Sequence, residues 1–428
     1  MEPPEPPTIS GILKCGSVIG LWVYRHCWLI HNNLYISKDS DFSHIKKQIK
    51  IDDDTKIILE DDKKTPQFVI ITPEKKYVFS SILPEVLSWV FSLRNCKKKD
   101  KRFYNIDDFR IIKVLGRGFY GKVMLVEKLS TGEYFALKTI RKKKIMDVLP
   151  ISTVLAEKTI LSDLPPYPFI VNFCFSFQTE HKFYIGLEYA AGGELLHYLS
   201  KQECISIDTT RLYIAEIALA INHLHQNNII YRDLKPENIL LDAQGHIKLT
   251  NLGLSVKVED DQLENTFCGT PEFLAPEILL QNGYSYPVDW WALGILLYFL
   301  IYKVTPFYDE NQEEMFKNIL TKDPEINPFG HKALNNLIIE LLNKDPNQRL
   351  NFEQIKQHSF FHGLNWTNVE NKEKNPSNFQ PVNEADPQNF PSEFTNETPA
   401  DSTVQSPNHA SWNISGFSYG NPMEMNSN

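Results

Sequence analysis

The N-terminal part of the chain is dominated by short segments in which apolar and polar residues alternate. These segments begin at Ile9 and are separated by Asp, Asn and Pro residues, a pattern that predicts a small antiparallel β-barrel or sandwich. Apolar residues then recur at helical spacing over 84–94. A single helix is therefore predicted to follow the strands.

The middle of the chain combines strand and helix patterns, and its end shows neither. Strand-like runs over 109–115, 122–129 and 134–138 come first, and an apolar helical pattern covers 213–225. From residue 362 onward, apolar periodicity stops and Asn, Pro, Ser and Glu dominate. Residues 362–428 are therefore predicted to form a partly disordered tail.

Size and composition limit the class of protein. With 428 residues the chain has room for about two to three domains, and 42% hydrophobic residues can fill their cores. The net charge of −9 argues against a nucleic-acid partner, because a surface that neutralises phosphates should be basic. The six cysteines are scattered without metal-binding spacing, which indicates reduced thiols in a cytosolic protein.

No segment has the pattern of a membrane anchor or a secretory signal. The N-terminus lacks the apolar core of a signal peptide. The longest apolar run, 290–302, is shorter than the roughly 20 residues that a membrane-spanning helix needs, and it is interpreted as a buried helix. We expect a cytoplasmic protein whose contact with the plasma membrane, where it occurs, is peripheral.

Residues 231–238 read Tyr-Arg-Asp-Leu-Lys-Pro-Glu-Asn and supply three chemically distinct groups: the carboxylate of Asp233, the cation of Lys235 and the amide oxygen of Asn238. Phosphoryl transfer from ATP to a hydroxyl uses such groups as proton acceptor, γ-phosphate partner and magnesium ligand. A polar surface turn also favours Asp, Lys, Pro and Asn, but it does not account for the complete order. The segment resembles the catalytic loop of eukaryotic protein kinases, and its opening Tyr is frequent in the AGC group of serine/threonine kinases.

A glycine-rich segment, Gly116-Arg-Gly118-Phe-Tyr-Gly121, follows the first of the strand-like runs. The same spacing occurs in dinucleotide-binding folds, where it opens a helix. Here residues 122–129 are β-branched and alternating, so a second strand is predicted, and the turn can cover phosphates with its N–H groups. Lys138 resembles the lysine with which protein kinases hold the α- and β-phosphates, and Glu157 stands where they place its acidic partner.

The resemblance to protein kinases covers residues 109–361 and implies a bilobal α+β kinase fold, serine/threonine kinase activity and the use of ATP with Mg²⁺ or Mn²⁺. The catalytic residues that it implies are Asp233, Lys235, Lys138 and Glu157. The residues that it places around ATP are Leu115, Gly116, Gly118, Gly121, Val123, Ala136, Lys138, Glu188, Ala190, Glu194, Leu240 and Thr250. The metal ligands that it implies are Asn238 and Asn251.

Asn251-Leu252-Gly253 departs from the family's Asp-Phe-Gly, whose aspartate binds magnesium. Leu252 keeps a large apolar side chain, which is predicted to stack between Tyr231, Phe173 and Leu161. Asn251 offers only a neutral amide oxygen, and a transition-state loss on the order of 4 kcal/mol would slow turnover about a thousandfold. Two hypotheses remain open: a slow but active kinase, which the other catalytic groups favour, and a nucleotide-binding pseudokinase that acts as a scaffold.

Three residues resemble the regulatory phosphorylation sites of AGC kinases. Thr266 corresponds to the activation-loop site, which implies an upstream kinase and pairing of the phosphate with Arg232. Thr398 resembles a turn-motif site. Ser418 lies between two aromatic residues and resembles a hydrophobic-motif site that docks onto the β-rich part of the kinase domain.

Acidic residues near the catalytic loop predict a preference for basic substrates. Glu194 and Glu237 are expected to attract arginine N-terminal to the target Ser or Thr of a protein substrate. Phe299 replaces a further acid that is usual in the AGC group, so a second arginine should matter less. The protein is expected to act as a monomer.

Residues 9–95 combine the predicted strands and single helix with the spacings Gly11-x-Leu13-x-x-Gly16 and Trp22-x-x-Arg25, and in this they resemble a pleckstrin-homology domain. A linker over 96–108 follows, with a cluster of basic residues at its start. The order of this domain, the AGC kinase domain and the tail is similar to that of the protein kinase B (Akt) type. In phosphoinositide-binding members, basic residues flanking the first hairpin hold the phosphates, and Lys14 and Arg25 stand at two such positions. Because two cations are few for several phosphates, lipid binding, autoinhibition and an adaptor role of this domain all remain open.

Overall fold

The structure is a computed structural model. It describes residues 3, 6–16, 22–52, 54–60, 65–95, 104–118, 121–142, 151–202, 204–258, 263–376, 379–380, 382, 387–401, 414 and 417–419. The loop over 17–21 in the first hairpin and linker residues 96–103 lie outside the described residues.

A seven-stranded antiparallel sheet forms the N-terminal region. Its strands are β1 (Ile9–Gly16), β2 (Trp22–Ile30), β3 (Asn33–Ser37), β4 (Ile45–Lys50), β5 (Lys56–Glu60), β6 (Gln67–Ile71) and β7 (Lys76–Ser80). They lie in the order β4-β3-β2-β1-β7-β6-β5. Helix α1 (Leu83–Asn95) follows and buries Val86, Trp89, Val90 and Leu93 in the core of this region. The prediction of several antiparallel strands followed by one helix is confirmed.

The larger domain begins with a five-stranded antiparallel sheet. Its strands are β8 (Phe109–Arg117), β9 (Lys122–Lys128), β10 (Tyr134–Arg141), β11 (Phe173–Gln178) and β12 (Lys182–Glu188), and α2 (Ile151–Asp163) connects the third strand with the fourth. Strands β8 and β9 pair directly, so the glycine segment joins two strands and opens no helix. A side chain at Gly121 would place its Cβ 1.7 Å from the carbonyl oxygen of Thr139, which is why glycine is needed there.

Short strands and helices make up the remainder of the larger domain. The short strands are β13 (Gly193–Glu194), β14 (Ile229–Ile230), β15 (Ile239–Leu241), β16 (Ile247–Leu249) and β17 (Val256–Lys257). The helices are α3 (Leu195–Ser200), α4 (Ile207–Gln226), α5 (Pro276–Leu279), α6 (Pro287–Tyr302), α7 (Gln312–Thr321), α8 (Lys332–Leu341) and α9 (Phe352–Gln357).

Helix α6 accounts for the longest apolar run of the sequence. Nearly all of its side chains are buried, on every face of the helix, so the pattern is continuous and not amphipathic. The interpretation of this run as a buried helix is confirmed. None of the helices that the structure describes has the length and apolar character needed to cross a bilayer.

The described parts of the C-terminal tail pack against the larger domain, which the composition of the tail did not predict. They contain two short helices, α10 (Trp366–Glu370) and α11 (Ser392–Thr395). Phe379, Phe390 and Phe417 are buried. These aromatic residues are far apart in the chain and form no periodic pattern. Each therefore attaches the tail at a separate point.

Candidate active site

A cavity of about 600 Å³ lies between the five-stranded sheet and the helical part of the larger domain. All the residues predicted to surround ATP line it: Leu115, Gly116, Gly118, Gly121, Val123, Ala136, Lys138, Glu188, Ala190, Glu194, Leu240 and Thr250. Aliphatic side chains form its walls, and a few charged groups lie among them. A concave apolar site with few polar groups is typical of small-molecule binding.

Lys138 provides the cation of the cavity. It lies in the middle of β10, and its Nζ is 2.6 and 2.7 Å from the two carboxylate oxygens of Glu157 on α2. The Glu157 side chain is almost fully buried, whereas a quarter of the Lys138 side chain is exposed. This pair fixes the ammonium group at the cavity wall, where it can meet an anionic ligand.

The turn between β8 and β9 covers one side of the cavity. The N–H of Gly118 donates to the carbonyl oxygen of Gly121 at 3.0 Å. Arg117 and Lys122 flank this turn, and both form ion pairs with Glu397 of the tail, at 2.6 and 3.0 Å. The tail therefore contacts the glycine turn directly.

Asp233 is held by a network of short contacts. Its Oδ2 accepts a hydrogen bond from Asn238 Nδ2 at 2.7 Å, and its Oδ1 accepts one from the Thr270 hydroxyl at 2.9 Å. Lys235 Nζ lies 3.3 Å from the same Oδ1 and donates to the Thr270 hydroxyl at 2.8 Å. The carboxylate is thus buried, oriented and balanced by a cation.

The backbone of the catalytic loop is fixed by buried Asp289 of α6. Its carboxylate accepts hydrogen bonds from the backbone N–H groups of Tyr231 and Arg232, at 2.9 and 2.8 Å. Leu252 is buried in the same core as Tyr231 and Leu161, and the half-buried Phe173 packs against that core. These contacts hold the loop against the helical part of the domain.

Asn238 and Asn251, the predicted metal ligands, lie side by side, and Asn251 lines the polar end of the cavity. The Nδ2 of Asn251 donates to the Oδ1 of Asn238 at 3.2 Å. Both groups are neutral, and the described residues include no cluster of three or more His, Cys, Asp or Glu side chains suited to a metal ion. Divalent cations such as Mg²⁺ favour carboxylate ligands, so this donor set fits a tightly held cation poorly.

Thr266 is tied to an acid that the sequence analysis missed. The Oε1 of Glu264 accepts hydrogen bonds from the backbone N–H and the hydroxyl of Thr266, at 2.9 and 2.7 Å, and its Oε2 lies 3.6 Å from Arg232 Nη1. Burial alone would raise the pKa of Glu264, but the bonds from Thr266 and the charge of Arg232 outweigh it and lower the pKa. Glu264 therefore lies between Thr266 and Arg232, where the predicted phosphate on Thr266 would contact Arg232.

An acidic group of residues lies at the mouth of the cavity. Burial raises the pKa of Glu194, and the negative charges of Glu237 and Glu393 raise it further. Glu194 and Glu237 were predicted to act together, whereas Glu393 comes from the tail and was not identified. Three carboxyl groups in mutual repulsion form a site that a cation would stabilise.

The tail also supplies an aromatic residue to the cavity. Phe390 lines it and stacks on Tyr189, with ring centroids 6.0 Å apart. Sequence analysis did not identify Phe390, because it stands alone in a polar segment. Its position next to Pro391 in a region otherwise poor in apolar residues is the only signal that the sequence offers.

The other two predicted phosphorylation sites lie at different places on the tail. Thr398 is exposed and follows Glu397, the residue that pairs with the glycine turn. Ser418 lies between Phe417, whose ring is 4.5 Å from that of Phe183, and Tyr419, whose ring is 5.3 Å from that of Phe173. The aromatic residues beside Ser418 therefore pack on β11 and β12.

In the N-terminal sheet, Lys14 and Arg25 do not share a face. Lys14 pairs with Tyr24 and Arg25 pairs with Leu13 across β1 and β2. Because paired residues lie on one face and neighbours alternate, the two cations leave opposite faces. Desolvation lowers the pKa of Lys46, and the positive charges of Lys38 and Arg25 lower it further. Arg25, on the face of the sheet opposite Lys14, therefore lies within electrostatic range of Lys46.

Comparison with known proteins agrees with the geometry of the cavity. Residues 109–361 match the model of the protein kinase domain. The chain is similar to the serine/threonine protein kinase ypkA of Aspergillus fumigatus, with 43% identity over 76% of this chain and 52% of that protein. It is also similar to the serine/threonine-protein kinase Sgk1-A of Xenopus laevis, with 41% identity over 74% of this chain and 76% of that protein. For gad8 of Schizosaccharomyces pombe, another serine/threonine-protein kinase, the identity is 46% over 70% of this chain and 53% of that protein. The chain thus spans about half the length of the two fungal relatives.

Proposed function

The chain belongs to the protein kinase family, among the serine/threonine kinases of the Sgk and Ypk type, and we propose that it transfers the γ-phosphoryl group of ATP to serine or threonine hydroxyls of proteins. The observation that carries this proposal is that Lys138, Glu157 and Asp233 line one cavity. The adjacent Asn238 and Lys235 hold Asp233 in a single orientation. Positioned charges of this kind are what phosphoryl transfer requires of a protein.

Asp233 is the proposed acceptor of the substrate's hydroxyl proton. As that oxygen forms its bond to the γ-phosphorus, the bond from phosphorus to the β-phosphate oxygen breaks, and the hydroxyl proton passes to Asp233. The bond from Asn238 directs the Asp233 carboxylate. Lys235, beside the same carboxylate, places its positive charge where the attacking and transferred oxygens gain negative charge. Lys138 holds the nucleotide phosphates from the opposite wall.

Transfer of labelled phosphate from γ-labelled ATP to an arginine-containing peptide tests this function. The Asp233→Asn variant should lose about 10²- to 10⁴-fold of the rate, because the proton acceptor is removed while its shape is kept. Asp323→Asn is the matched control, since this carboxylate is exposed and does not line the cavity. Equal rates in wild type and Asp233→Asn, or no transfer by the wild type, would contradict the proposal. In the second case the protein would act as a nucleotide-binding scaffold.

Basic substrates are proposed because of the acids at the mouth of the cavity. An arginine N-terminal to the target residue would meet Glu194 and Glu237 and relieve their mutual repulsion. Glu393 of the tail adds a third negative charge near the two acids predicted from sequence. Phe299 takes the place of a further acid, so one arginine should dominate the preference.

Regulation is proposed to act through Thr266, Thr398 and Ser418. An upstream kinase would phosphorylate Thr266, next to Arg232 and Glu264. Phosphate on Ser418 would act at the place where the tail packs on the five-stranded sheet. Both modifications would change the order of a segment that contacts the domain of the cavity.

The N-terminal region is proposed to be a pleckstrin-homology-like domain that recruits the protein from the cytoplasm to anionic phosphoinositides of the plasma membrane. Its seven antiparallel strands followed by a helix support this proposal. Arg25 and Lys38 lie close enough to Lys46 for their positive charges to act on it, whereas Lys14 faces away from Arg25. We therefore propose Arg25 with these lysines as the phosphate contacts.

A further inference from the structure

We propose that the cavity binds ATP without a requirement for a divalent cation, because the side-chain amide of Asn251 takes the place of a bridging metal ion. This inference rests on the proposed nucleotide site. It concerns the binding step and is separate from the transfer of phosphate. Two observations at the polar end of the cavity support the inference: the hydrogen bonds between its side chains and the balance of their charges.

The hydrogen bonds fix which atoms face each other. Asn238 donates both of its Nδ2 hydrogens to Asp233, to the backbone oxygen at 2.8 Å and to Oδ2 at 2.7 Å. Its Oδ1 must therefore point the other way, where it accepts from Asn251 Nδ2 at 3.2 Å. The left-handed backbone at Asn251, with φ of 61°, is one that asparagine adopts readily.

A carboxylate at position 251 would change this contact completely. Two oxygen acceptors would then face each other at about the same separation, and acceptors so close need a proton or a cation between them. In this chain the amide hydrogen of Asn251 already lies between the two groups. The contact between the two asparagine side chains therefore needs no metal ion.

The balance of charges at this end of the cavity supports the same inference. Among the described residues there, Glu157 is paired with Lys138 and Asp233 is paired with Lys235. An aspartate at position 251 would add one uncompensated negative charge, which would repel metal-free ATP unless a cation screened it. Asparagine avoids that repulsion, so ATP⁴⁻ and magnesium-bound ATP should bind with similar affinity.

Calorimetric titration of the full chain with ATP, in excess EDTA and in Mg²⁺, tests the inference. For the wild type we expect the two dissociation constants to agree within about threefold. For Asn251→Asp we expect binding in EDTA to be at least about tenfold weaker than in Mg²⁺, since one partly screened charge has been added. Asn311→Asp is the matched control, because it makes the same charge change at an exposed helix N-cap outside the cavity. It should behave like the wild type.

The Lys138→Met variant shows whether the measured heat comes from ATP binding in this cavity. It should lose ATP binding both in EDTA and in Mg²⁺. The inference is overturned if the wild type binds ATP only with Mg²⁺, or if Asn251→Asp shows no greater dependence on Mg²⁺ than Asn311→Asp. Should Asn251→Asp fail to fold, the comparison of EDTA and Mg²⁺ in the wild type decides alone. Wild type that binds ATP in EDTA but transfers no phosphate would refute the proposed function and leave this inference standing.

Discussion

Glu264→Gln is the perturbation that tests most sharply how the segment around Thr266 is held in place. Glutamine keeps the size of the side chain and one acceptor oxygen but removes the charge next to Arg232. In the unphosphorylated protein, Glu264 accepts hydrogen bonds from Asn265 and Thr266, at 2.7–2.9 Å, and lies 3.6 Å from Arg232 Nη1. The segment should therefore become less ordered.

The size of the effect follows from these contacts. Hydrogen bonds to a charged group contribute about 1.5–3 kcal/mol each in favourable cases. Arg232 keeps its bonds to the Leu254 carbonyl oxygen and the Tyr284 hydroxyl, and the glutamine oxygen still accepts one hydrogen. We therefore expect a loss of about 1–2 kcal/mol in local stability, which raises local opening about 5- to 30-fold.

Phosphorylation of Thr266 should reverse the sign of this effect. Phosphate removes the hydroxyl hydrogen that Thr266 donates to Glu264 and adds about −1.5 to −2 charges. The carboxylate would then be repelled, and glutamine would relieve the repulsion. In the phosphorylated protein, Glu264→Gln should leave the segment equally or better ordered.

Hydrogen exchange of residues 263–270, followed by mass spectrometry, measures both effects. Glu314→Gln is the matched control, because among the described residues this exposed carboxylate pairs only with exposed Lys317, and such pairs contribute little. Unchanged exchange in unphosphorylated Glu264→Gln, or a change equal to that in the control, would refute this reasoning. The same loss of order in both phosphorylation states would refute the predicted reversal.

The tail, the acidic site and the N-terminal sheet can each be tested by substitution. Phe417→Ala removes a fully buried ring that packs on Phe183. Such a truncation costs about 3–5 kcal/mol of stability, so the tail should detach, which would lower both the Tm and the rate of phosphate transfer. An unchanged Tm would contradict this packing. Burial and the charges of Glu237 and Glu393 raise the pKa of Glu194, so its carboxyl becomes neutral at a higher pH than an ordinary glutamate. As the pH falls, KM for an arginine peptide should therefore begin to rise before ordinary glutamates are protonated, and Glu194→Gln should flatten that profile. In pelleting with phosphoinositide-containing liposomes, the Arg25→Ala variant should lose most of its binding. The control variant Lys14→Ala, changed on the opposite face of the sheet, should still bind. An equal loss of binding in both variants would contradict the proposed phosphate contacts.

The catalytic loop and glycine turn could be located from the sequence because their functional groups lie within short segments of fixed order. Asp233 and Asn238 are close in the chain, and their contact at 2.7 Å needs no distant element to bring them together. The glycine turn was distinguished from a dinucleotide-binding turn by the alternation that follows it, which β9 explains. Local pattern was sufficient in both cases.

Residues contributed by distant segments could not be predicted in the same way. Phe390 lines the cavity and Glu393 acts on Glu194 through its charge. Both come from a tail whose composition carries no periodic signal. The opposite orientations of Lys14 and Arg25 depend on the pairing register of β1 and β2. A shift of one residue exchanges the two faces of a strand, and composition does not fix that register.

A single-turnover experiment measures phosphate transfer by this protein to a peptide hydroxyl. Excess protein is mixed with γ-labelled ATP and an arginine-containing peptide, quenched with acid, and the label is followed into phosphoserine, phosphothreonine or free phosphate. We expect the label to appear on the peptide's serine or threonine, and we expect Asp233→Asn to slow its appearance at least about a hundredfold. Label that stays on ATP or passes only to water in the wild type would contradict this expectation.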